Sequence, residues 1–248
     1  MGKHEPFAIH FWLSGCLTNA PPTITMSLPD PLSGEIKRLQ DHYDYRAREY
    51  GDTPAGVHWS SLESQDQRLN ILAQIGPLMD TSVLDFGCGA GRLLDVLRER
   101  FAFNGQYTGY DLSEELLRLA KTRHAEAHFE RRDIFVSGVD GEFDYIFISG
   151  VFGIRCENNL LFITRVLELL FPHARRGIAF NSLSNYVDYR AANQYYADPE
   201  ELFRFCKENL SPTVTLRHDY EVKPGVMPFD FTMYVYRSQH SPRRKNLD

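Results

Sequence analysis

The stretch Val83-Leu84-Asp85-Phe86-Gly87-Cys88-Gly89-Ala90-Gly91-Arg92-Leu93-Leu94 decides how the rest of the chain is read. Val83, Leu84 and Phe86 form an apolar run that predicts a buried strand. Gly87, Gly89 and Gly91 then stand at every second position, and the helix-favouring Leu93-Leu94-Asp95-Val96-Leu97 follows. Alternate glycines permit a tight strand-to-helix turn with no Cβ in the way of a ligand. The turn opens into a helix N-terminus whose free N–H groups face whatever is bound. A dinucleotide-binding turn would read Gly-x-Gly-x-x-Gly. Here the third glycine comes one residue early, and Asp85 precedes the first. A carboxylate at that point repels a pyrophosphate and suits an ammonium.

Downstream, strands and helices keep alternating. Tyr107-Thr108-Gly109-Tyr110-Asp111 reads as a second strand ending in an acid about twenty residues past the last glycine. Nucleotide-binding α/β folds place a ribose-binding carboxylate there. Ser113 is a good N-cap for the helix that follows. Ala127-His128-Phe129-Glu130 reads as a third strand, with Asp133-Ile134-Phe135 after it. Tyr145 to Ile148 is apolar, as a strand covered on both faces should be, and it leads into Ser149-Gly150-Val151-Phe152. Glu157 to Phe171 is a helix ended by Pro172. Gly177 to Asn181 is a fifth strand, followed by a polar, tyrosine-rich loop with Ser184 and Tyr186. Asp198-Pro199 opens another helix with an Asp cap and Pro in the first turn. Thr213 to His218 and Phe231 to Tyr236 form the last two strands; His218 reads as an ordinary strand residue.

Upstream, Ser33 to Tyr50 is a helix that Ser33 can cap, with Ile36, Leu39, Tyr43 and Ala47 at helical spacing. Tyr43 and Tyr45 are candidates to close over a ligand. The loop 51–61 ends in His58-Trp59-Ser60-Ser61, and a second helix runs from Leu62 to about Ile75. Ser60 or Ser61 caps it. Capping accounts for one serine; His58, Trp59 and Gln65 suit a ligand-facing loop on a rigid scaffold.

The 248 residues suffice for one sizeable α/β core with an appendage. A net charge of −6 argues against a nucleic-acid partner, and no apolar run reaches membrane-spanning length. Cys16, Cys88, Cys156 and Cys206 are scattered without a C-x-x-C, which fits a reducing cytoplasm and no metal site. Leu13-Ser14-Gly15-Cys16 matches a lipoprotein cleavage box, but the flanking pattern is wrong for one. Met26 is a candidate start. The expected divisions are a disordered extension over 1–32, a helical cap over 33–76, the ligand-binding domain over 77–238 and a flexible tail over 239–248.

The Asp-x-Gly-x-Gly-x-Gly of Asp85 to Gly91 resembles motif I of the class I S-adenosylmethionine (SAM) dependent methyltransferases. Gly109-x-Asp111-x-Ser113 resembles motif II of the same family. The resemblance covers about Ser82 to Arg237. It implies an α/β, Rossmann-like, seven-stranded, mostly parallel sheet flanked by helices, with an antiparallel last strand and an N-terminal helical lid. It also implies SAM as cofactor. In the family, the motif I acid and glycines hold the methionine end, the motif II acid takes the ribose, and an acid after the third strand takes the adenine amino group. Here Asp133 stands at that position, with Arg132 replacing the common glycine before it. The cofactor-binding candidates are therefore Trp59, Ser60, Gln65, Asp85, Gly87, Cys88, Gly89, Gly91, Arg92, Asp111, Leu112, Asp133, Ile134, Ser149 and Gly150. Those expected at the chemistry are Tyr43, Tyr45, His58, Phe152, Asn181, Ser184 and Tyr186, with His58 as a base.

Nucleobase and glutamine N-methyltransferases carry Asn/Asp-Pro-Pro-Tyr after the fourth strand, which this chain lacks. The expected reaction is therefore in-line methyl transfer to a small molecule. A SAM-cyclising enzyme of the azetidine-2-carboxylate synthase type, releasing methylthioadenosine, and a non-catalytic SAM-binding module are the alternatives. Monomer and homodimer both stay open.

Overall fold

The computed structural model describes residues 32–51 and 61–238. The tail expected over 239–248 and all of the extension expected over 1–32 except Leu32 therefore lie outside the described residues, as do His58, Trp59 and Ser60; Leu32 itself is buried.

Five strands run parallel. β1 (Ser82–Phe86) pairs with β2 (Gln106–Asp111) on one side and β4 (Phe143–Ile148) on the other. β3 (His128–Arg131) lies beyond β2, and β5 (Ala174–Leu183) beyond β4. β7 (Asp230–Tyr236) then inserts antiparallel between β5 and β6 (Val214–Arg217), giving the order β3-β2-β1-β4-β5-β7-β6. The strand order reverses direction at β1, so a crevice opens beyond the carboxyl ends of β1 and β4. Open α/β sheets bind ligands at that place. The central strands are apolar through and through because both faces are covered: Val83, Leu84, Ile146, Phe147 and Ile148 are fully buried.

The helices are α1 (Ser33–Tyr50), α2 (Leu62–Leu72), α3 (Arg92–Phe101), α4 (Glu114–Arg123), the single turn α5 (Ile134–Ser137), α6 (Asn159–Leu170) and α7 (Pro199–Phe205). One apolar layer joins α1, α6 and α7 to the sheet through Leu39, Ile163, Leu202 and Phe180. The other joins α2, α3 and α4 through Leu72, Leu94, Leu117 and Phe147. The caps fall where short polar side chains precede apolar runs. Ser61 accepts from the N–H of Ser64, Ser113 from that of Leu116, and Asp198 from those of Glu200 and Glu201.

One helix cap and one helix start depart from expectation. The N-cap of α1 is Leu32, one residue earlier than Ser33, and it has no side-chain cap. α6 starts at Asn159, not Glu157, and likewise has no cap of its own. The two residues that lead into it are held from α1: Glu35 Oε1 accepts the N–H groups of Glu157 (2.7 Å) and Asn158 (3.2 Å). Pro172 lies in a 3-10 turn that follows α6. Among the described residues, no helix is long and apolar enough to cross a membrane.

Candidate active site

A cavity sits over the glycine turn at the crevice. Gly87, Gly89 and Gly91 all have positive φ (77°, 54° and 82°), so the turn depends on glycine at each place. At Gly87 the need is also steric, since a Cβ would lie 2.4 Å from Val151 Cγ2. Gly91 is the N-cap of α3 and offers no side chain, so the first-turn amides of that helix point to the cavity without a side-chain acceptor.

Two carboxylates face this turn, Asp85 buried and Asp111 half-buried. Asp111 ends β2; its Oδ2 accepts from Gly89 N–H (2.8 Å) and its Oδ1 from Ser113 N–H (2.9 Å). Burial raises its pKa, and those amides work against the rise. Asp85 is 3% exposed, and its Oδ2 accepts from the Tyr107 phenol at 2.5 Å. Burial pushes Asp85 up to about 7; the phenol opposes the shift and the charge of Asp111 adds to it. Neither forms an ion pair among the described residues. The one guanidinium in the turn, Arg92, is bound to Asp66 of α2 (2.8 and 2.7 Å) and to Asp95 (3.2 Å). The site thus holds negative potential that its own cations leave uncancelled. That suits a cationic ligand bearing hydroxyl groups, and SAM is such a ligand.

The cavity is lined by Gln65, Asp85, Gly87, Cys88, Gly89, Arg92, Asp111, Leu112, Asp133, Ile134, Ser149 and Gly150. α1 covers it with Ile36, Leu39, Gln40 and Tyr43. Tyr43 donates its hydroxyl to the Gly150 carbonyl at 3.4 Å, and Asp44 accepts from the Ser113 hydroxyl at 2.5 Å. Asn181 does not line the cavity, but it holds two residues that do. Its Nδ2 donates to Ser149 Oγ (3.0 Å), and its Oδ1 accepts from Gly150 N–H (3.3 Å).

Four residues expected at the chemistry sit elsewhere. Tyr45 is 60% exposed, because the tyrosine two residues before it already points inward and helical spacing turns Tyr45 out. Phe152 is 1% exposed and packs edge-on between Phe162 and Phe180; it is a core residue. Ser184 is buried and accepts from the N–H of Tyr186. Tyr186 is half-exposed and donates to Glu200 (2.9 Å), by a shallow depression shared with His218. The loop after β5 folds back on Ala197, which carries both away from the cavity. His218 follows β6 instead of ending it, and its Nε2 is buried without a hydrogen-bond partner.

Sequence reasoning missed Asp66, Tyr107 and the apolar cover Ile36 and Leu39 as parts of the site. The helical spacing of Ile36, Leu39 and Tyr43 was the available signal for the cover. For Asp66 and Tyr107 there was none, since their partners lie 26 and 22 residues away.

Residues 79–216 match the methyltransferase domain family. A Mycobacterium tuberculosis protein assigned as a methyltransferase is 37% identical over 166 residues, 63% of this chain and 93% of that protein. The trans-aconitate 2-methyltransferase of Sinorhizobium medicae is 34% identical over 118 residues, 45% of this chain and 46% of that enzyme. Among solved structures, the DhpI–SAM–HEP complex superposes with a TM-score of 0.57 at 17% identity, over 83% of this chain and 99% of that one. At that identity the likeness concerns the fold.

Proposed function

The chain belongs to the class I SAM-dependent methyltransferases, and on that premise we propose that it methylates a small-molecule acceptor in the crevice over the glycine turn. One observation carries the reading: a cavity at the carboxyl ends of β1 and β4 presents a buried carboxylate, Asp85, and a half-buried one, Asp111, and neither forms an ion pair among the described residues. When bound, SAM supplies an electrophilic methyl carbon on a sulfonium.

The residues present fit that group. Asp111 holds the ribose hydroxyls. Asp85 faces the ammonium side, with Gly87, Cys88, Gly89, Gly91 and the backbone of Arg92 leaving room and offering amides. Leu112, Asp133 and Ile134 form the adenine end. Gln65, Ser149 and Gly150 border the reacting end, and Trp59 and Ser60 belong to the same proposal from outside the described residues. The lid formed by α1 excludes water, and Asn181 and Tyr43 fix the Gly150 peptide from its two sides. Alignment and water exclusion are then the chain's main contributions to rate.

The acceptor class follows from the groups at this end. Burial raises the pKa of Tyr43, so its phenol stays protonated and donates to Gly150. Gln65, Ser149 and Asn181 are neutral. Among the described residues, none at this end acts as a base near pH 7, which favours an acceptor already nucleophilic in water. A small carboxylate meets that requirement, in keeping with the relative that acts on trans-aconitate. His58 stays the candidate base for an acceptor that needs one.

The test is mass spectrometry of the purified chain with SAM, first alone and then with a panel of small carboxylic acids. Intact SAM alone, and S-adenosylhomocysteine with a methyl ester when an acid is added, support the proposal. Methylthioadenosine from SAM alone would replace methyl transfer by cyclisation. No thermal shift with SAM or S-adenosylhomocysteine would remove the cofactor reading.

A further inference from the structure

At the adenine end, Arg132 stands where the family's common glycine would be. A glycine there has no side chain to contribute. This arginine reaches across the loop that follows β3. Its Nη1 donates to the carbonyls of Ser137 (3.4 Å) and Gly138 (3.2 Å) at the far end of α5. Its Nε and Nη2 bind Glu130 Oε1 (3.0 and 2.8 Å), and its Cζ lies 5.2 Å from the centroid of the Tyr110 ring. Its own N–H donates to the carbonyl of Asp111 (3.1 Å). Asp133 meanwhile caps the near end of α5, its Oδ1 accepting from Phe135 N–H at 2.9 Å.

α5 is four residues long, too short to hold itself together, because one turn fixes several dihedrals for a single hydrogen bond. It is therefore clamped from outside, by Asp133 at its start and by Arg132 at its finish. The residues that α5 and its cap bring to the cavity lining are Asp133, Ile134 and Phe135. Arg132 itself is 15% exposed as a side chain and borders the same cavity.

We propose that Arg132 is a positioning residue for adenine recognition: by tying the Ser137 and Gly138 carbonyls to Glu130 and Tyr110, it sets the Asp133 carboxylate at the angle that selects a 6-amino purine. The inference rests on the function proposed above. Asp133 supplies the acceptor, and Arg132 supplies the fixed loop that makes the acceptor selective.

The experiment is calorimetric titration of the full chain with S-adenosylhomocysteine and with its 6-oxo (inosine) counterpart. The unmodified chain should prefer the 6-amino ligand by on the order of tenfold, as expected for a hydrogen bond to a charged acceptor. Arg132→Ala should bring the two affinities together while the melting temperature stays within a few degrees. Glu130→Gln, which loosens the same guanidinium without deleting it, should give a smaller loss of preference. Arg132→Lys should recover part of it. An unchanged ratio in both Arg132→Ala and Glu130→Gln overturns the inference, as does an equal weakening of both ligands, which would mark a merely structural role. If the unmodified chain binds neither ligand, the cofactor reading falls and this inference with it, a result distinct from either of those.

Discussion

Asp66 and Arg92 meet in a two-pronged pair, Nε to Oδ1 at 2.8 Å and Nη2 to Oδ2 at 2.7 Å, that ties α2 to the first residue of α3. Arg92 follows the last glycine of the turn, so the pair fixes the turn from outside. It also neutralises a guanidinium that lines the cavity beside the glycine turn. Asp66→Ala should therefore have two effects. A largely buried charge left alone costs about 1–3 kcal/mol of stability. The freed guanidinium should also swing toward Asp85 and Asp111 and compete with a cationic ligand. Titration should show weaker SAM binding, with kcat at saturation nearly unchanged.

Asp85 predicts a pH dependence. Its pKa is raised to about 7 by burial, against 3.8 ordinarily. Between about pH 4 and 7 the folded chain therefore holds a proton that the unfolded chain has lost. Stability without ligand should fall as pH rises through that window and level off above it. A bound cation favours the ionised carboxylate, so binding should tighten as pH rises toward 7 and release a proton. Calorimetry at pH 6 in two buffers of different ionisation enthalpy measures that release. Asp85→Asn should abolish it.

Arg68 of α2 and Asp230 of β7 form a buried pair at 2.9 and 2.6 Å, with side chains 5% and 3% exposed. Removing one partner from such a pair costs about 3–5 kcal/mol. Arg68→Met should thus lower the melting temperature by roughly 6–20 °C in a chain of this size. The double change Arg68→Met with Asp230→Leu should regain most of the loss, because no charge is then stranded. Thermal unfolding of the two variants decides the matter.

Gly87→Ala asks an L residue to adopt φ 77° with its Cβ 2.4 Å from Val151 Cγ2. Backbone strain of this kind costs about 1–3 kcal/mol. The larger effect should be on binding, because the relieved turn moves into the cavity. Adding Val151→Ala should restore part of the stability, since it removes the clash, and little of the affinity.

How far the chain could be read depended on the range of the interaction. The strand, glycine turn and helix from Val83 onward follow from neighbours in sequence, and so do the caps at Ser61, Ser113 and Asp198 and both bounds of α1. The sheet order follows from the alternation of strands and helices. The misplaced aromatics show the limit. Phe152, Tyr186 and Ser184 all lie just past strand ends, where the two-residue period that orients side chains has stopped. α2 shows a second limit. It buries Ser64, Gln65, Asp66 and Arg68, a face that any apolar-versus-polar reading would turn to water. Only partners far along the chain, at Arg92 and Asp230, make that face an interior one.

The hold of Glu35 on the approach to α6 has one more implication. Glu35 rides on the helix that roofs the cavity, yet the amides it satisfies lie on the segment that leads into α6. Lifting the roof would strand those amides and leave a carboxylate that has lost its donors. Admission of a ligand and loosening of the approach to α6 are therefore one event, and amide exchange at Glu157 and Asn158 would count how often the door stands ajar.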